Sequence, residues 1–220
     1  MLRAPALLRK LYAAFSYLRD LFNTPDFTRW NGFSDFTPEL LKELTDREAP
    51  HYDDIAIHYF IQYHAHCQLL EAAAYVRSRG VVLKGDIPIG IYRNSVDAWT
   101  NPRLFHLECQ AGAPPDDFSA TGQNWRFPTY NWEAMALDNY SWWQQRLRQM
   151  SAYFDAFRID HILGFFRIWE IPASQVQGLM GCFNPSIPYT REEILYKGIR
   201  FDENRYCRPY IRDHFLHEIF

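Results

Sequence analysis

The sequence predicts an α/β fold, and three observations carry the prediction. A helix-length run from Asp53 or Asp54 to Arg79 stops at Gly80 and passes at once into the β-branched run Val81-Val82-Leu83, the helix-to-strand join of a parallel α/β fold. The same unit recurs where a helix opening at Ser141 continues through Leu147, Met150 and Phe154 into the apolar stretch Phe154 to Ile159. Each strand then ends in a carboxylate, Asp86 and Asp160, and the carboxyl ends of parallel strands are where α/β barrels keep their chemistry.

The first element is a helix over Met1 to Phe22, with Leu7, Leu8, Leu11, Phe15 and Leu18 at helical spacing and basic residues between them. A basic amphipathic start can be a transit peptide, but this one lacks the serine-rich character and reads as a domain helix. Asn23 to Pro50 is a loop broken by prolines, with one short helix from Pro38 to Leu44. In the long helix that follows, Asp53 or Asp54 is the expected N-cap, and Ile57, Phe60, Ile61, Cys67, Leu70 and Val76 are the expected buried stripe. His64 and His66 lie two apart on it and do not face each other, so they make a poor metal pair. Asp97 to Pro128 is rich in turn residues and poor in periodicity, as a functional loop would be, and a loop tied down by its own side chains would look the same. Gln123 and Trp125 could present an amide and a ring to a ligand from it. Ser141 with Gln144 has the spacing of a capping box. After Ala173 the pattern weakens. A short helix is expected near Thr190 to Lys197 and an amphipathic end from Asp213, where His214 and His217 are two candidate ligands without a third.

Composition bounds the function. At 220 residues the chain can bury a sizeable core but is short of the roughly 250 that a closed eight-stranded barrel takes. A net charge of −3 gives no basic field for nucleic acid, and no apolar run reaches membrane-spanning length. Cys67, Cys109, Cys182 and Cys207 have no paired spacing and read as reduced thiols of a cytoplasmic protein. No metal site and no cofactor are expected.

The centre of the chain is Arg158-Ile159-Asp160. Alternate residues on a strand project to one side, so guanidinium and carboxylate stand together at the strand end, where the arginine favours an ionised aspartate. The residues alone favour a buried structural ion pair over catalysis, because ion-pair networks perturb carboxylates too. Asp86 is open in the same way, between a site residue and a cap of the following turn.

The ordered motifs resemble the 4-α-glucanotransferases, also called amylomaltases or disproportionating enzymes. They are Lys84-Gly85-Asp86-Ile87-Pro88-Ile89-Gly90, Ser95-Val96-Asp97-Ala98-Trp99, Gly112-Ala113-Pro114-Pro115-Asp116-Asp117, Gly122-Gln123-Asn124-Trp125 and Arg158-Ile159-Asp160-His161 with Trp169-Glu170-Ile171-Pro172. The wording around Asn124 to Glu133 and Asn184 to Pro188 is most similar to the plant cytosolic, maltose-using type and its bacterial relatives. The resemblance implies a partial (β/α)8 TIM barrel with long inserted loops, residues 1–220 being part of one catalytic domain truncated at both ends. It implies retaining transfer of α-1,4-glucan segments, with Asp160 as nucleophile and Arg158 as its charge partner. Asp86, Gln123, Trp125 and His161 would contact an α-glucan or maltooligosaccharide. Two departures follow. Arg126 stands where the family places glycine, and no motif for the acid/base carboxylate occurs before Phe220, so the chain looks like an internal fragment, inactive alone. A non-catalytic α-glucan-binding protein is the alternative reading.

Overall fold

A computed structural model describes residues 3–206. The chain divides into two compact units, Met1–Asn184 and Pro185–Phe220. Cys207, His214 and His217 and the amphipathic end after Asp213 lie outside the described residues.

The first unit opens with helix α1 (Arg3–Leu21), and the proline-broken stretch after it holds a 3-10 turn (Phe27–Arg29) and α2 (Pro38–Leu44). Asp26 and Thr37 cap those two helices by accepting from the backbone N–H of Thr28 and Leu40. Only the second half of the α1 stripe is covered: Phe15 and Leu18 are buried, whereas Leu7 and Leu8 are exposed. Trp30 fills the space beneath it, its ring centroid 5.0 Å from Phe15 and 5.7 Å from Trp99, and its indole N–H donates to Thr24 O at 2.9 Å. An indole can be fully buried because that donor is satisfied.

Helix α3 (Tyr52–Ser78) differs from expectation at its start and along its face. His51 is the N-cap, without a side-chain hydrogen bond, and Asp53 and Asp54 lie inside the first turn, where acidic side chains still favour the positive end of the dipole. Ile57, Phe60, Ile61 and Leu70 are exposed; the buried residues are Ile55 and Ala73, with Cys67 and Val76 half-buried. The helix turns a different stripe inward because α1 is the neighbour it packs on. Gly80 ends it at φ +73°, a left-handed conformation open to glycine at no steric cost.

Val81-Val82-Leu83 is not a strand. β1 begins one step later, Lys84–Ile87, and pairs in parallel with β6, Ala156–Ile159. The delay has a local cause, since the Leu83 N–H donates to Asp155 Oδ2 at 3.0 Å and Leu83 O accepts from the Asp155 N–H at 2.8 Å. Arg77 Nε at the end of α3 binds the other oxygen of Asp155 at 2.6 Å. The Leu83 bond first and the Arg77 bond second hold the Asp155 carboxyl below its usual range. A lowered acid contributes stability that is present above its unfolded pKa and lost as pH falls through the folded value. Asp155→Asn is therefore expected to lower the melting temperature at neutral pH, with the gap to the parent closing below the ordinary aspartate value of about 3.9. Melts recorded across that range check it; a gap that stays constant well into acid refutes it.

The stretch from Asp97 to Pro128 is more ordered than its composition suggests. It holds α4 (Val96–Thr100), a 3-10 turn (Pro102–Leu104) and strands β2 (Phe105–His106), β3 (Cys109–Ala113) and β4 (Gln123–Asn124). β2 pairs antiparallel with β5 (Thr129–Tyr130), and a four-stranded antiparallel sheet has the order β4-β3-β7-β8, with β7 at Ile168–Pro172 and β8 at Cys182–Asn184. Helix α5 (Trp132–Ala136) precedes α6 (Ser141–Met150). The expected capping box at α6 does not form. Tyr140 is the N-cap in a left-handed conformation, Ser141 donates to Asp138 instead, and Gln144 reaches the Asn139 carbonyl. Arg146 of α6 lies about 5 Å over both Trp142 and Trp143 and donates to Pro88 O, which ties this helix to the chain leaving β1.

In the second unit, α7 (Arg191–Tyr196) carries a capping box between Thr190 and Glu193, and α8 (Glu203–Tyr206) follows. Among the described residues Cys67, Cys109 and Cys182 are free thiols, and no helix is long and apolar enough to cross a membrane.

Candidate functional site

The parallel pair β1–β6 puts Asp86 directly opposite Arg158. On β1, Gly85 and Ile87 are buried while Lys84 and Asp86 point the other way, so Asp86 and Arg158 share the open face. One further backbone bond, Asp160 N–H to Ile87 O at 3.1 Å, fixes Asp160 at the end of the ladder. Arg158 then bridges both acids: Nη2 donates to Asp160 Oδ1 at 2.8 Å, and Nε lies 3.4 Å from Asp86 Oδ1. The Asp160 bond first, and then the charge of Asp86, raise the pKa of the guanidinium above its ordinary value.

The ion pair differs from the buried one that the residues favoured. The strand end is not buried: the side chains of Arg158, Asp86 and Asp160 are 58%, 58% and 47% exposed. Ion pairs open to water in this way add little, because solvent and salt screen them, so stability is a weak reason for three charges to converge here. Asp86 does not cap the turn that follows; it faces the arginine.

His161 comes next in a left-handed conformation, φ 47°, and its ring stands edge-on to Trp125, centroids 4.9 Å apart. Gly164 makes room for that ring, since a Cβ there would lie 2.8 Å from His161 Cδ2. Trp125 also stacks on Phe127 at 5.8 Å and donates its indole N–H to Gln123 Oε1 at 3.0 Å. Gln123 thus holds the ring as well as offering an amide. The loop is fastened by its backbone too, Trp125 N–H to Ala111 O at 2.9 Å and Ala111 N–H to Phe127 O at 2.8 Å. The structure therefore gathers the six sequence-derived residues in two linked groups, Asp86–Arg158–Asp160 and Gln123–Trp125–His161, joined through the Asp160–His161 peptide.

Arg126 sits at φ 64°, a conformation that is cheap for glycine and costs other residues about 1–2 kcal/mol. Glycine also pays about 0.5–1 kcal/mol more on folding. Arg126→Gly is expected to be net stabilising by about 0.5–1 kcal/mol, roughly 2 °C in melting temperature for a chain of this size. Calorimetry reads it, and an unchanged or lowered melting temperature would show that the loop carries no strain at this position.

One group was not assigned a role from the sequence. Glu170, only 13% exposed, accepts from the Thr129 hydroxyl, stands 3.2 Å from His106 Nδ1, and accepts from Asn184 Nδ2 at 2.9 Å. It pins β5, β2 and β8 to β7, beside Ala111, from which the Trp125 loop hangs. The available signal was a charge inside the apolar run Ile168-Trp169-Glu170-Ile171. Burial, with the nearby Glu170 charge second, pushes the Cys109 thiol up to about 11. Among the described residues no group of three or more His, Cys, Asp or Glu is arranged to hold a metal.

A family profile described as 4-alpha-glucanotransferase, glycoside hydrolase family 77, matches residues 5–205. The rice (Oryza sativa subsp. japonica) 4-alpha-glucanotransferase DPE2 is 55% identical over 211 residues, covering 96% of this chain and 22% of the relative. A 4-alpha-glucanotransferase of Streptococcus pneumoniae is 37% identical over 170 residues, 74% of this chain and 34% of the relative. The chain thus spans about a fifth to a third of the length of these relatives. Among solved structures, the amylomaltase from Streptococcus agalactiae in complex with acarbose superposes with a TM-score of 0.73 at 25% identity, covering 97% of this chain and 44% of that one. The Corynebacterium glutamicum amylomaltase, at 22% identity and a TM-score of 0.63, has a similar fold.

Proposed function

From its membership of the 4-alpha-glucanotransferase family, glycoside hydrolase family 77, to which this chain belongs, we propose that it carries the nucleophile half of a retaining transferase site. That site moves α-1,4-glucan segments from a maltose, maltooligosaccharide or glucan donor to an acceptor. The observation that carries the reading is the single guanidinium of Arg158 spanning Asp86 and Asp160 on the open face of a parallel strand pair.

In this reading residues 1–220 are part of one catalytic (β/α)8 barrel, and β1 and β6 are neighbouring barrel strands whose open face looks into it. Asp160 attacks the anomeric carbon and forms a glycosyl ester, and Arg158 orients that carboxylate and disperses its charge. Trp125 offers an apolar face to a sugar ring and helps keep water from the ester, so that an acceptor hydroxyl completes the transfer. Asp86, Gln123 and His161 supply polar contacts to the hydroxyls. The S. agalactiae amylomaltase, solved with acarbose, supports a carbohydrate ligand for this chain. The names of the relatives favour a transferase over a glucan-binding module.

Retaining chemistry also needs a carboxylic acid about 5–5.5 Å from the nucleophile to protonate the leaving oxygen. Asp86 stands 3.4 Å from Arg158 Nε as its ion-pair partner, so we assign the acid to sequence outside these residues and expect the chain alone not to transfer glucan. We propose a cytoplasmic setting, in keeping with the free thiols of Cys67, Cys109 and Cys182 among the described residues.

A fluoride leaving group needs no proton, which isolates the nucleophilic step. Incubation of the chain with α-maltosyl fluoride is expected to add one maltosyl group, mapped by peptide mass spectrometry to the segment carrying Asp160. Maltosyl transfer to any other carboxylate would overturn the assignment.

A further inference from the structure

Arg146 of α6 is a half-buried cation that forms no ion pair among the described residues. Its Cζ lies 5.1 Å from the ring centroid of Trp142 and 5.0 Å from that of Trp143, and the two indoles stand at 88° to each other, so they hold the guanidinium from two directions. Nη1 donates to the Tyr130 hydroxyl at 3.4 Å, and Nη2 donates to Pro88 O at 3.2 Å. Burial pushes the Tyr130 hydroxyl up to about 12, so it keeps its proton and offers the arginine lone pairs rather than a charge.

Arg146 grips β1 where the strand runs out. The bond from Asp160 N–H to Ile87 O closes the parallel pair. The next residue, Pro88, has no N–H with which to carry the ladder on, yet it still presents a carbonyl. Arg146 takes that carbonyl, so the end of β1 is held on both sides of Ile87: Asp86 lies opposite Arg158 before it, and Pro88 is bonded to α6 after it. We propose that Arg146 is a positioning residue for the nucleophile: by fixing Pro88 it keeps Ile87 O on the Asp160 N–H, and so keeps Asp160 aligned with Arg158 and Asp86. The indoles and Tyr130 hold the guanidinium in place, so the bond to Pro88 does not have to order a free side chain. Arg146 acts on Asp160 only through the main chain of β1. The effect on rate rests on the transfer reading, whereas the effect on the Asp160–Ile87 bond stands without it.

Residue-resolved amide hydrogen exchange and capture of α-maltosyl fluoride, both on the full chain, test the two effects separately. Arg146→Met keeps an apolar stem over the indoles and removes both donors. In that variant the Asp160 amide is expected to exchange about tenfold faster or more, while the Ala111 and Trp125 amides, bonded in the other sheet and its loop, change by less than about twofold. The limiting rate of capture at Asp160 is expected to fall about tenfold, and the fluoride concentration giving half that rate to change by less than about twofold, because no contact to the sugar is removed. Arg146→Lys keeps the cation but not the fork that meets Tyr130 and Pro88 together, and is expected to fall between the parent and Arg146→Met in both readings. It carries the test if Arg146→Met loses its circular dichroism, and its equality with the parent then overturns the proposal. A parent chain that captures no maltosyl group overturns the transfer reading, and Asp160 exchange alone then decides for or against Arg146. Asp160 exchange at the parental rate in folded Arg146→Met overturns the proposal, as does an equal quickening at Ala111 and Trp125, the mark of a general loss of packing. Capture at the parental rate despite faster Asp160 exchange overturns the role in the reaction.

Discussion

Asp160→Asn is expected to abolish covalent capture of α-maltosyl fluoride, with a loss on the order of 10⁶-fold, the scale reported when a covalent nucleophile is removed. The amide keeps the size of the side chain and can still meet Arg158 through its oxygen, so the strand end keeps its shape while the nucleophilic charge is gone. Asp86→Asn supplies the contrast. It removes the more distant of the two partners of the guanidinium, 3.4 Å against 2.8 Å, and leaves the Asp160 bond in place. Capture is expected to slow by about tenfold to a hundredfold and still to map to Asp160, because a contact that positions sugar and arginine carries less than the group that forms the bond. Intact-mass time courses of the two variants separate the roles. Equal rates for parent and Asp160→Asn, or a complete block by Asp86→Asn with capture retained in Asp160→Asn, would reverse the assignment of nucleophile and partner.

The placement of the candidate residues was legible in the sequence to the extent that it obeys period-two geometry. Arg158 and Asp160, two apart at the end of an apolar run, had to project together, and Asp86 at the end of the other strand is their neighbour because β1 and β6 pair in parallel. What spacing could not give was exposure. Phe154 to Ile159 reads as a buried strand by its side chains, yet Arg158 and Ile159 are exposed, since burial depends on which elements pack over a face. Helix α3 shows the same limit: its apolar residues fall on more than one face, so Ile57 and Phe60 were as plausible inside as Ile55 and Ala73, and only contact with α1 chose.

The antiparallel sheet was illegible for a different reason. β2, β4 and β5 are two residues each, and β3 is Cys109-Gln110-Ala111-Gly112-Ala113, whose small residues carry no alternation. Order there comes from long-range partners instead, Glu170 among them, and from the backbone of the Trp125 loop pairing with Ala111. Of the two readings of Asp97 to Pro128, the structure describes the loop tied down by its own side chains, Gln123 holding the ring of Trp125, and the ligand-facing reading belongs to the proposed function.

Trp30→Ala is expected to cost about 3–5 kcal/mol, the range for truncating a buried aromatic, against a total stability of about 5–15 kcal/mol for a folded protein. The indole is fully buried, packed on Phe15, Phe22, Phe27 and Trp99. Its loss opens a cavity at the junction of α1, the turn after it and α4, and leaves the Thr24 carbonyl without its donor. The damage reaches the site through a short chain of contacts: Trp99 on α4 packs against Trp30, Asp97 of the same helix accepts from Trp142 at 2.9 Å, and α6 leads into β6 and Asp160. With a urea dependence of about 2 kcal/mol per molar, the midpoint should fall by about 2 M, and for a marginal parent the variant should be largely unfolded without denaturant. Trp30→Phe keeps most of the ring contacts and loses the hydrogen bond, so it should recover more than half of the deficit. A midpoint for Trp30→Ala within about 0.5 M of the parent would mean that the aromatic cluster beneath α1 is not what holds this part of the chain together.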